Sequence, residues 1–122
     1  MEPALMMKTA LALLTVAALG GAVAAVTRIA YDRNPPSWLA MLHGLLAGAA
    51  LTLLLYAHFT VGLPAMAGWG LLVFLVAATG GVFLNLGYHA KAQPLPVGIV
   101  LAHGGLAVIG YLMLLVAVLG QR

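Results

Sequence analysis

Histidine is the residue with the most chemistry to offer in this chain, which has no cysteine and only two acidic residues in 122. His43-Gly44 and His103-Gly104 stand 60 residues apart, each closing the same string, Pro-x6-His-Gly-x-Leu-Ala. An imidazole can ligate a metal through a neutral nitrogen, relay a proton, or bond two helices together. The matched pair therefore has three readings: bis-imidazole ligation of a haem iron, a relay or non-haem metal site, and interhelical hydrogen bonding without a cofactor.

The pair belongs to a duplicated unit. The same offset aligns Val16-Ala17-Ala18 with Val76-Ala77-Ala78, Gly20-Gly21 with Gly80-Gly81, and Pro36 with Pro96 without a gap. The halves are about 1–60 and 61–122, and self-similarity at a fixed period marks a repeated structural element.

Composition dictates where that element lives. Apolar residues make up 65% and charged residues 6%, with mean hydropathy +1.16, far from the balance of a water-soluble domain. The chain reads as one integral membrane domain of four spans, about 9–30, 38–60, 69–88 and 96–119. The expected fold class is an all-α four-helix transmembrane bundle built from two parallel-repeat hairpins, since each half holds an even number of spans. The separators 31–36, 61–64 and 90–96 carry the Pro, Gly and Asn turn signals. Trp38, Trp69, Tyr31 and Tyr88 fall at span ends, where amphipathic rings favour the headgroup level.

Lys8 and the apolar run ending Ala-Val-Ala-Ala have the look of a secretory signal. Because Gly20-Gly21 is the counterpart of Gly80-Gly81, that segment is expected to be a retained span. The face with both Pro-rich loops, side A, carries Arg28, Arg33 and Lys91, against Lys8 and Arg122 on side B, which favours side A in the cytoplasm. A net charge of +3 so scattered is no nucleic-acid footprint.

Depth decides which histidines can meet. His43 lies six residues past Ser37 and His103 seven past Pro96, so at about 1.5 Å per residue both sit roughly 9–10 Å below side A. His58 is fifteen residues beyond His43, roughly 22 Å deeper and near side B, where it reads as interfacial. His89 closes the third span on side A and also reads as interfacial, with Asn85 one turn before it and a propionate or quinone within its reach.

Two level histidines related by internal symmetry suit a metal on the symmetry axis. Gly44, Ala47 and Gly48 around His43, and Gly104, Gly105 and Ala107 around His103, are expected to keep the walls thin for a porphyrin. Gly20-Gly21 and Gly80-Gly81 either admit the ring edge or serve close helix packing. Arg28, Arg33, Lys91, Tyr31, Tyr88 and His89 are placed to meet propionates at side A. The methionines form no Met-x-x-Met cluster and read as flexible core filler.

With His43 and His103 level on the second and fourth spans, each followed by Gly and then Leu-Ala, the chain resembles the small four-helix transmembrane b-type cytochromes of bacterial membranes. The resemblance implies one haem b per chain, axial ligands His43 and His103, electron exchange with a quinone or a redox partner protein, and a bacterial inner-membrane location. Many such cytochromes hold two haems, whereas His58 has no level partner, so one bis-histidine haem is the most this chain allows. A homo-oligomer or membership of a larger membrane complex is expected, since one haem near side A does not cross the bilayer. Two other classes compete: a small transporter acting as a dual-topology dimer, and a cofactor-free subunit of a membrane complex. No nucleophile and base pair for hydrolysis is present.

Overall fold

A computed structural model describes residues 2–121 as an all-helical bundle. The order is α1 (Pro3–Ala30), α2 (Ser37–Thr60), α3 (Ala65–Gly87), a single 3-10 turn (His89–Lys91) and α4 (Val97–Leu119). The shortest helices have 23 residues, roughly 34 Å, enough to cross a hydrocarbon layer of about 30 Å. All four helices meet the length and hydropathy of membrane spans, and they carry large apolar side chains such as Leu19, Leu45, Leu86 and Leu101 on the outside. That pattern suits a lipid bilayer and no aqueous surface.

Local chemistry sets the ends. Pro3 opens α1, while Pro36, Pro64 and Pro96 each occupy the residue just before a helix. Asp32 at φ 52°, Gly62 at φ 81° and Ala92 at φ 54° take the left-handed backbone that stops a helix. Each threonine (Thr9, Thr15, Thr27, Thr52, Thr60 and Thr79) returns its hydroxyl proton to the carbonyl four residues earlier, so no threonine hydroxyl donor faces lipid unpaired. α1 begins six residues earlier than the sequence pattern implies and α3 four earlier, because Pro3 and Pro64 rather than the first strongly apolar residues set the starts.

The tightest packing lies within the hairpins, α1 on α2 and α3 on α4. Closure of the bundle comes from α1 against α4 and α2 against α3, which puts α2 and α4 on a diagonal. The main core fills the side B half: Met7, Ala10 and Leu14 of α1 meet Leu51 and Leu54 of α2, Leu71 and Phe74 of α3, and Leu114 of α4. A smaller cluster, Leu84, Leu95 and Val100, lies toward side A. The level of His43 and His103 is where the larger core gives out.

On side A the two loops are tied to each other by polar bonds. Arg28 Nε donates to Leu95 O (2.7 Å) and its Nη1 to Asp32 (2.8 Å). Asn34 donates to Gln93 O and accepts from Leu95 N–H, and the Nε2–H of His89 donates to Pro35 O at 2.7 Å. These bonds staple the first hairpin to the second across the pseudo-twofold axis.

Candidate functional site: a symmetric histidine pair

His43 and His103 meet across the α2–α4 diagonal with ring centroids 6.1 Å apart and ring planes at 83°. Each ring is anchored within its own hairpin. His43 Nδ1 lies 2.7 Å from Ala17 O on α1, and His103 Nδ1 lies 2.7 Å from Ala77 O on α3. A carbonyl oxygen can only accept, so the proton sits on Nδ1 and the neutral ring keeps its Nε2 lone pair unengaged.

A carbonyl inside a helix already accepts from the N–H four residues on, here Gly21 for Ala17 and Gly81 for Ala77. Those glycines expose its second lone pair. A Cβ on Gly21 would stand 2.9 Å from His43 Cε1, and one on Gly81 would stand 3.0 Å from His103 Cε1. A side chain at 21 would force the His43 ring to shift, and one at 81 would press on the His103 ring. Ala17-x3-Gly21 with His43, and Ala77-x3-Gly81 with His103, therefore form one repeated device.

The glycines that come close to the imidazoles are Gly21 and Gly81. A Cβ at Gly44, Gly48, Gly104 or Gly105 would meet nothing within 4 Å. Ala47 and Ala107 are half-buried one turn deeper than the histidines. The glycine pairs lie level with the histidines: a Cβ on Gly20 would stand 3.8 Å from His43 Cβ, and one on Gly80 would stand 3.7 Å from His103 Cβ.

Among the side A residues, Arg28 is committed to Leu95 O and Asp32, and His89 to Pro35 O. Both act as staples between loops, a role carried by backbone acceptors that leave no trace in residue type. Lys91 is exposed, and Arg33 lies over the Tyr31 ring at 5.8 Å from its centroid. Asn85 is exposed on α3. His58 is exposed on side B and meets Phe59 edge-on at 4.9 Å, remote from the pair. Arg122 lies outside the described residues.

Among the described residues no three His, Asp or Glu side chains converge, so a bare metal ion would find at most two protein nitrogens here. That donor set suits a metal whose other ligands arrive with it, as in a macrocycle. Comparison of the chain with known protein families, curated proteins and solved structures finds no match, and the reading of the site rests on its own geometry.

Proposed function

We propose that this chain is a membrane b-type cytochrome in which His43 and His103 hold one haem near side A, passing electrons to or from a quinol or a partner redox protein. The observation that carries the reading is the pair itself: two imidazoles, symmetric, 6.1 Å apart, each with Nδ1 tied to a carbonyl. Two imidazoles ligating one metal from opposite sides through bonds of about 2 Å have ring centres about 6 Å apart. Anchoring Nδ1–H to a carbonyl also fixes the tautomer and raises the basicity of the ligating nitrogen.

The glycines of α1 and α3 serve the imidazoles themselves: the space at Gly21 and Gly81 is taken by the His43 and His103 rings, and Gly20 and Gly80 lie against their Cβ atoms. Haem would supply one-electron chemistry, and the protein's part is to position the two imidazoles and exclude water around them. Lys91 and Arg33 are the side A cations without a carboxylate partner among the described residues, so they are the candidates to meet propionates.

A reduced-minus-oxidised optical spectrum of protein purified from haem-replete cells tests the proposal. A low-spin bis-histidine spectrum is expected, lost in His43→Ala and in His103→Ala and retained in His58→Ala. Wild-type protein without haem absorption would refute the reading.

A further inference from the structure

The first hairpin carries a groove whose lining its repeat does not share. About 470 Å³ opens beneath the 31–36 loop, walled by Val23 and Thr27 of α1 and by Trp38 and Leu39 of α2, with Arg33 at its rim. In the second hairpin the equivalent positions are Phe83, Gly87, Gly98 and Ile99, and Gln93 stands in place of Arg33. There the Phe83 ring lies over Gly87, whose Cβ would be 3.8 Å from it, and meets Tyr88 edge-on at 5.6 Å. The halves agree at His43 and His103, at Gly20-Gly21 and Gly80-Gly81, at Gly44 and Gly104 and at Pro36 and Pro96, and they differ here: one hairpin places a phenylalanine ring where the other has valine beside a cation.

The character of the opening defines what enters it. Val23 and Trp38 are 56% and 68% exposed on the outer surface of a membrane bundle, so the groove faces lipid rather than the bundle interior. Its size falls within the roughly 300–1,000 Å³ of ligand-sized clefts. Arg33 is the charge at its mouth; the one ion pair among the described residues joins Arg28 to Asp32 and leaves Arg33 without a carboxylate. The Thr27 hydroxyl already donates to Val23 O, and among the groove's donors the Arg33 guanidinium is the charged one, suited to an anion.

We propose that this groove holds one anionic phospholipid drawn from the bilayer, its acyl chain along Val23, Trp38 and Leu39 and its phosphate on Arg33. His43 and His103 do not line the groove, so the site does not rest on haem ligation; Arg33, a candidate for a propionate, would serve the lipid phosphate instead.

The test is native mass spectrometry of the delipidated full chain incubated with equal amounts of phosphatidylglycerol and phosphatidylcholine of the same acyl chains. The wild type is expected to retain phosphatidylglycerol about fivefold over phosphatidylcholine, the ratio one cation near an anionic headgroup supplies. Arg33→Gln removes the preference. Val23→Phe, which copies the second repeat, removes the bound lipid with the charge intact, whereas Lys91→Gln, an equal loss of charge on the same side, keeps the preference. Equal retention of the two lipids by the wild type, or an unchanged preference in Arg33→Gln or Val23→Phe, overturns the proposal. So does displacement by soluble glycerol phosphate, which would mark an anion site that needs no acyl chain.

Discussion

At the scale of single residues, the histidine pair depends on two missing methyl groups. Gly21 and Gly81 leave the carbonyls of Ala17 and Ala77 open to a second donor, and the imidazoles fill the space that side chains would take. Gly21→Ala should therefore break the His43 bond and strand a polar donor in an apolar interior, at a cost of about 1–3 kcal/mol. Gly44→Ala adds a methyl group to open space and should stay within about 0.5 kcal/mol of wild type. Unfolding of both variants in mixed micelles measures the difference; equal stability would mean that the bond to Ala17 contributes nothing. These glycines were visible in the sequence as repeated pairs, but packing between helices explained them equally well. What distinguishes the two explanations is the carbonyl they uncover, which belongs to the backbone and has no letter.

Between helices, the two hairpins solve the same packing problem with different volumes. Phe74 on α3 presses on α4 where Gly110 has no side chain; a Cβ there would stand 3.1–3.2 Å from three atoms of the ring. The first repeat places Leu14 and Ala50 at the equivalent positions, a smaller side chain opposite a larger one. Gly110→Ala alone is expected to cost about 1–3 kcal/mol by overpacking, and Phe74→Leu in the same chain should recover much of that loss. A double-mutant cycle on unfolding free energy reads the coupling, and strictly additive effects would show that the two positions are not in compensation. Symmetry is also broken between the hairpins, where the hydroxyls of Thr15 and Tyr111 lie 2.7 Å apart across α1 and α4; their repeat counterparts are Leu75 and Leu51.

Across the whole molecule, the bundle is held at its two ends by different forces. The side B half is an apolar core shared by all four helices, while on side A the joining is done by Arg28, Asn34 and His89 bonding to the opposite loop. Asn34→Ala removes both bonds that its amide makes, to Gln93 O and Leu95 N–H. Faster amide hydrogen exchange is expected in residues 88–96, with little change in the side B turns of α2 and α4 around Leu54 and Leu114, because local opening follows local contact density. Uniform acceleration throughout the chain would show that the loops and the core open as one unit. The arrangement also leaves the histidine level at the boundary between a rigid half and a half stapled by loops.

Much of this was determined by the sequence alone. Apolar runs of span length require helices in a bilayer because no water is present to satisfy a bare backbone, and the gapless 60-residue offset requires two hairpins of like orientation with His43 and His103 at one depth. Period and hydropathy are one-dimensional quantities, and depth in a membrane helix is nearly one too. The tertiary structure decided which surfaces meet: that each imidazole turns to a carbonyl on its hairpin partner, that Gly21 and Gly81 lie against the imidazole rings, and that Arg28 and His89 join loops. Those choices depend on helix rotation and on backbone acceptors. Every residue supplies a carbonyl whatever its side chain, so only the path of the chain in space determines which carbonyl is within reach.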